Sequence, residues 1–246
     1  MESLKGKTAW VTGASAGIGA ATARALGQQG AHVLLSARRE DRLEELAAEL
    51  PSAEVLPLDV CDPAQVKAAV ADRSLDIVVA CAGLARGLDM LQDGDPADWA
   101  VTLDTNLKGV LHVVHAALPG LIRQGYGDLV FLGSVAGRQV YPGGNVYCAS
   151  KYGVRAVYEA LRMDAGGKGV RYTTVDPGMV ETDFTLTRLG DPEAAAKVYE
   201  NMHPLSAEDV ADAVLFAVTR PKHVNIGEIV LWPTCQASTR DVTRDS

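Results

Sequence analysis

Along most of the chain, short apolar runs alternate with stretches whose apolar residues recur at helical spacing. Lys7–Thr12 predicts a strand, and Gly17–Gln29 beyond a glycine-rich turn predicts a helix. Ala31–Ser36 predicts a second strand, Arg42–Leu50 an amphipathic helix, Glu54–Leu58 a third strand ending at Asp59-Val60, and Asp76–Ala80 a fourth. Strands separated by helices in this way make a doubly wound α/β pattern, in which ligands are expected at the carboxyl ends of the strands. Trp99–Ile122 reads as one long helix, Asp128–Leu132 as a fifth strand, Asn145–Ala165 as a helix and Val170–Val175 as a sixth strand. Residues 183–204 are less regular, with only Pro192–Met202 looking helical, the character expected of a substrate flap. Ser206 reads as a helix N-cap with Glu208 and Asp209 behind it, Gly227–Trp232 as a last strand, and 234–246 as a polar tail.

Composition narrows the picture. With 246 residues, 48% hydrophobic and 22% charged, the chain can bury one large core, and no linker or internal repeat divides it, so a single domain over 1–246 is expected. No apolar run approaches the ~20 residues of a membrane span. Met1-Glu2-Ser3-Leu4-Lys5 opens directly onto a strand rather than reading as a signal peptide, and a cytoplasmic protein is the expectation. A formal charge of -8, with no basic cluster longer than Arg38-Arg39, disfavours nucleic acid as the main partner. Cys61, Cys81, Cys148 and Cys235 are scattered and read as reduced thiols. His112 and His115 stand at i, i+3 without a third ligand, so packing is expected of them and no metal.

Candidate chemistry sits where strands end. Gly13, Gly17 and Gly19 form a loop between the first strand and the first helix, read either as a plain tight turn or as a cradle bringing backbone N–H groups to a pyrophosphate. After the second strand an NAD site has an acidic residue, whereas this chain has Ala37-Arg38-Arg39. A guanidinium pairs with a 2′-phosphate, so NADP is expected; the alternative is that the arginines begin a solvated helix, Arg39 being the more solvated of the two. Asp59 is open between a ligand for an adenine amino group and a helix cap ahead of Asp62-Pro63. Asn106 inside the long helix either holds a kink or a water, or faces solvent. Ser134 is a strand-end turn residue or a donor to a substrate oxygen.

Tyr147 and Lys151 stand four positions apart in a predicted helix and share a face. A free phenol has a pKa near ~10. If Lys151 and a bound cationic nicotinamide brought it to roughly 7, the differential stabilisation would be ~4 kcal/mol, and Tyr147 could exchange protons near working pH. Alone, Tyr-x-x-x-Lys is most often ordinary amphipathic helix surface.

Taken jointly, Thr12-Gly13-x-x-x-Gly17-Ile18-Gly19, Asn106, Ser134, Tyr147-x-x-x-Lys151 and Pro177-Gly178 resemble the short-chain dehydrogenase/reductase family, from about residue 5 to 233. The resemblance implies a single doubly wound Rossmann domain with helices on both faces of a seven-stranded parallel sheet, order 3-2-1-4-5-6-7. It also implies a homotetramer built partly through the two long helices. It makes Tyr147 the acid/base, Lys151 its activator and a ribose ligand, Ser134 the group polarising the substrate oxygen, and Asn106 the holder of a water relay. The cofactor would be lined by Gly13, Ser15, Ala16, Gly17, Ile18, Gly19, Arg38, Arg39, Asp59 and Val60. Cys81, Ala82, Gly83, Asn106, Tyr147, Lys151, Pro177, Gly178, Val180 and Thr182 would complete that lining.

One departure stands out: the family usually has Asn-Ala-Gly where this chain has Cys81-Ala82-Gly83, a weakly bonding thiol in place of an amide, which puts the rigidity of that wall in question. Arg38-Arg39, Tyr141-Pro142-Gly143-Gly144-Asn145-Val146-Tyr147, and His223-Val224-Asn225-Ile226 near Leu231-Trp232-Pro233-Thr234-Cys235-Gln236 resemble the NADP-dependent 3-hydroxy acid (serine-type) dehydrogenases. Similar tails occur in clavulanate-type aldehyde reductases. Arg138 and Arg188 are candidates for a substrate carboxylate, with surface roles as the alternative. The expected activity is reversible hydride transfer between NADP(H) and a secondary alcohol or carbonyl. Its rivals are an NADPH-binding regulator without turnover and an isomerase or dehydratase on the same scaffold.

Overall fold

The computed structural model describes residues 2–245. Its strands are β1 (Thr8–Thr12), β2 (His32–Ser36), β3 (Ala53–Val55), β4 (Ile77–Ala80), β5 (Gly127–Leu132), β6 (Val170–Pro177) and β7 (Glu228–Leu231). All pair in parallel in one sheet of order β3-β2-β1-β4-β5-β6-β7, the order the family resemblance implies. The helices are α1 (Gly17–Gln28), α2 (Glu40–Glu49), α3 (Pro63–Val70), α4 (Pro96–Leu103), α5 (Gly109–Gln124), α6 (Asn145–Asp164), α7 (Asp183–Leu189), α8 (Pro192–Val198) and α9 (Ala207–Val218). Among the described residues, no helix is long and apolar enough to cross a membrane.

Alternate residues of a strand point to opposite faces of its sheet, and each face here has its own apolar cluster. Ala9 and Val11 of β1 pack with Ala23 and Leu26 of α1 and Val210 and Val214 of α9, while Trp10 between them joins Val66 of α3, Val113 of α5 and Tyr158 of α6. β4 divides in the same way, Ile77 and Val79 to the first cluster and Val78 and Ala80 to the second. Burial on both faces explains why these strands read as continuous apolar runs. The buried Trp10 indole donates to the Ser36 hydroxyl at 2.9 Å, so its polar edge is satisfied.

Two segments differ from the periodicity. The long helix predicted over Trp99–Ile122 is broken into α4 and α5 by a π turn at Asp104–Lys108. Asn106 lies in that turn and is buried, which excludes the solvent-facing reading. Its amide nitrogen donates to the Leu84 carbonyl at 2.7 Å and to Ser150 Oγ at 3.1 Å, and its oxygen accepts from the Leu84 N–H at 2.8 Å. The side chain thus ties the loop after β4 to α6. We predict that Asn106→Leu, which keeps the volume but strands buried backbone groups, lowers the unfolding free energy by ~2–4 kcal/mol in urea titrations; a loss under ~0.5 kcal/mol would exclude this role. The second difference is α7, seven helical residues where the sequence looked irregular, started by the Thr182 hydroxyl accepting from the Phe184 N–H.

Candidate active site

The carboxyl ends of the central strands open on two cavities of about 330 and 320 Å³ that share Ile18, Cys81, Gly83, Leu132, Thr182 and Phe184. The first holds the glycine loop. Gly13 has φ +72° and its missing Cβ would fall 2.8 Å from the Ala82 Cα, while a Cβ on Gly19 would fall 2.2 Å from the Gly13 carbonyl oxygen. Neither position accommodates a larger residue without moving backbone. Unlike α3, α4, α7, α8 and α9, α1 has no side-chain cap, and its first turn carries no acid. Its free N–H groups therefore favour an anion at this end of the helix.

Ser15, Ala16, Gly17, Ile18, Arg38, Arg39, Asp59, Val60, Cys81, Ala82, Gly83 and Thr182 line this first cavity with the glycines. Arg38 and Arg39 are both exposed, and Arg39, read as the more solvated of the two, also donates from Nε and Nη2 to Ser15 Oγ at 3.2 and 3.1 Å. The cap ahead of α3 falls to Asp62, which accepts from the N–H groups of Ala64 and Gln65. Asp59 instead accepts from the Cys61 N–H at 2.9 Å, at the cavity edge. Asn106 lines neither cavity but stands behind Gly83, whose missing Cβ would lie 3.3 Å from the Asn106 oxygen.

The rigidity that Cys81 put in question comes from a different side chain. Thr12 Oγ1 donates to the Val79 carbonyl at 3.3 Å and accepts from the N–H groups of Cys81 and Ala82 at 3.1 and 3.3 Å, joining β1 to the loop after β4. The Cys81 thiol is buried, and burial pushes it up to about 12 against the pull of Lys151.

The second cavity gathers Ser134, Tyr147, Lys151, Pro177, Gly178 and Val180, together with Tyr141, Phe184, Arg188, Gln236 and Thr239. Ser134 Oγ accepts from the Ala136 N–H at 3.1 Å, and its own proton has only a long contact, 3.4 Å, to the Pro177 carbonyl. Lys151 donates to the Leu132 carbonyl at 2.8 Å and lies 5.9 Å from the Tyr147 ring centre. Burial holds the Tyr147 hydroxyl far above the ordinary phenol range, the neighbouring Tyr141 adding to this while Ser134 and Arg188 oppose it. Burial likewise brings Lys151 down to about 8, against the pull of Cys81 and Asp176.

In the protein alone desolvation outweighs the pull of Ser134 and Arg188 on the Tyr147 phenol; the expected fall toward neutrality is for the state with the cationic nicotinamide bound. The protein presents a neutral phenol, the proton-donating state.

Arg138 is committed elsewhere: it pairs with Asp176 at 2.6 Å and with Glu228, and does not line the cavity. Arg188 does line it, with its guanidinium 5.4 Å from the Tyr147 ring centre. The sequence named Tyr141 and Gln236 only as parts of a subgroup pattern and overlooked Phe184 and Thr239. No local signal places Gln236 or Thr239 at the cavity, which they reach because the tail folds back on the site: Gln236 Oε1 accepts from the Met179 N–H and the Thr239 N–H donates to Gln139.

A family model described as short chain dehydrogenase matches residues 7–191. The chain belongs to that family. Among similar short chain dehydrogenases, sulfoacetaldehyde reductase 2 of Chromohalobacter salexigens is 45% identical over 96% of this chain and 98% of its own length. Serine 3-dehydrogenase of Agrobacterium fabrum is 41% identical over 94% of this chain and 95% of its own length. The closed form of a serine dehydrogenase complexed with NADP+ superposes with a TM-score of 0.92 at 37% identity, covering 97% of this chain and all of that one. The resemblance read from the residues thus holds for this short chain dehydrogenase, for the family and for the serine-type group.

Proposed function

We propose that this short chain dehydrogenase uses NADP(H) to interconvert a secondary alcohol and its carbonyl, a 3-hydroxy acid such as serine being the reading closest to its relatives. The observation that carries this is the convergence of Ser134, Tyr147 and Lys151 on a cavity continuous with an uncapped helix N-terminus and two arginines. The residues present fit the dinucleotide. Gly13 and Gly19 let the loop turn tightly against Ala82 and against its own backbone beside the uncapped N-terminus of α1, and Ala37-Arg38-Arg39 supplies guanidinium groups where a carboxylate would repel a 2′-phosphate.

When bound, NADP(H) supplies or accepts the hydride. The chain does the rest. Ser134 turns its loosely held proton toward the substrate oxygen and stabilises charge developing there. Tyr147 gives that oxygen its proton in reduction and takes it back in oxidation. Lys151, already below its ordinary value, re-supplies the phenol. The side chain of Asn106 is spent on Leu84 and Ser150, so a water linking Lys151 to solvent falls to the main chain of the π turn. Residues 183–204 cover the substrate.

Titrating NADPH and NADH against the purified protein tests the cofactor reading. NADPH should bind more tightly, and Arg38→Ala and Arg39→Ala should each weaken NADPH by ~10–100-fold, with NADH little changed, the range expected for a lost charge-assisted contact. Equal affinities of the unaltered protein for the two dinucleotides would overturn it. A panel of β-hydroxy acids, aldehydes and ketones, followed at the nicotinamide absorbance, tests the reaction; no turnover of any of them would count against it.

A further inference from the structure

Arg188 is the one residue of the second cavity whose charge the mechanism leaves unused. Its environment is unusual for a half-buried arginine. Nε donates to the Gly87 carbonyl at 2.9 Å, Nη1 to the Tyr141 hydroxyl at 2.6 Å, and Nη2 to the Gly143 carbonyl at 3.4 Å. None of these partners carries a charge. Among the described residues no carboxylate reaches salt-bridge distance of Arg188, and the cavity lining holds two cations, Lys151 and Arg188, and no Asp or Glu. A guanidinium has five N–H donors, so one on each terminal nitrogen remains for a further acceptor. The contacts to Gly87 and Gly143 fix the plane of the group, and it stacks 5.4 Å from the Tyr147 ring centre and 5.6 Å from that of Tyr141.

We propose that Arg188 reads an oxoanion, a carboxylate or sulfonate, on the substrate, so that the enzyme selects small anionic hydroxy or oxo compounds over neutral ones. This rests on the reaction proposed above and deepens it. Two parallel N–H donors match the two oxygens of a carboxylate or sulfonate. The cavity, about 320 Å³, limits the substrate to a small compound. Leu88, Met179, Phe184, Leu189 and Val198 make part of the remaining wall apolar, and its polar side chains, Thr185, Tyr199, Gln236 and Thr239 among them, are uncharged. An anion in this cavity has no other free cation besides the buried Lys151, whose amino group points at the Leu132 carbonyl.

Arg188 also ties α7 to the loops at Gly87 and Gly143, so the test has to separate recognition from a structural latch. Oxidation of 3-hydroxybutanoate, 2-hydroxypropane-1-sulfonate and the neutral 3-hydroxybutanamide is to be compared in the unaltered protein, Arg188→Met and Arg188→Lys. For the unaltered protein kcat/KM should favour the anions over the amide, and whichever anion leads identifies the acid group. Arg188→Met should lower kcat/KM for the anions by ~10–100-fold, chiefly through KM, and change the amide by less than about threefold; Arg188→Lys should recover part of the loss. An equal fall for all three substrates would assign Arg188 to the latch alone, and unchanged anion kinetics would exclude it from recognition. A second readout needs no turnover. Calorimetric binding of butanoate, propanesulfonate and butanamide, with and without NADP+, should favour the two anions, and Arg188→Met should abolish the preference. Equal binding of the three to the unaltered protein would overturn the proposal, whereas anion-selective binding without oxidation of any alcohol would retain it and reject the reaction.

Discussion

Tyr147→Phe should lower turnover with NADPH by ~10² or more, with the affinity for NADPH and the melting temperature nearly unchanged. The substitution removes one oxygen and keeps the ring, and the ring is what the surrounding structure packs against. Phe184 lies 5.4 Å away between ring centres, and the charges of Arg188 and Lys151 lie near its face. Stability therefore has little to lose, and the effect falls on kcat. Because burial holds the phenol neutral, the group lost is a proton donor to the substrate oxygen in the proposed reduction, while Ser134 keeps only its hydrogen-bonding role. Steady-state rates across pH 6–10 are the measurement. A rate within about threefold of the unaltered enzyme would remove Tyr147 from the mechanism.

Lys151→Met should do something less intuitive, abolishing activity while making the protein more stable at neutral pH. The Lys151 ammonium is buried, and its value falls from 10.5 to about 8. In the unfolded chain the amine keeps its proton up to its ordinary value, so between pH 8 and 10.5 the unfolded state binds more protons than the folded one. Stability therefore rises with pH through that window, and the whole cost of burying the charge is present below it. A depression of this size corresponds to roughly 3 kcal/mol. Methionine fills the space without the charge but leaves the Leu132 carbonyl unpaired, which returns ~1 kcal/mol. The expected net gain is ~1–2 kcal/mol at pH 7, vanishing by about pH 10. Urea unfolding of both proteins at the two pH values decides it. A variant less stable than its parent at pH 7 would show that Lys151 stabilises the fold as well as serving the site.

What the sequence made legible follows from the range of each interaction. The strands and the glycine loop are local features, and the two-sided burial of β1 and β4 writes itself into adjacent residues. Tyr147 and Lys151 are one helical turn apart, so spacing alone places them together. The π turn escaped because its cause, the Asn106 carboxamide bridging Leu84 and Ser150, joins three segments distant in the chain. α7 escaped for a related reason: Thr-rich and only one or two turns long, it is held by long-range contacts such as Arg188 to Gly87 and Thr185 to Tyr199. The contact of Arg39 with Ser15 was not legible because Ser15 lies on the preceding loop, and the desolvation of Tyr147 was not, because spacing reports charges nearby but not how much water is excluded.

Cys81 borders both cavities, and burial keeps its sulfur protonated up to about pH 12. Thiolates add to aldehydes and ketones, and the hemithioacetal formed would block the room that the reaction needs. With so little nucleophile present at physiological pH, a cysteine can stand beside electrophilic compounds without being consumed by them. The same desolvation that raises the tyrosine's affinity for its proton thus protects the neighbouring sulfur from self-inactivation.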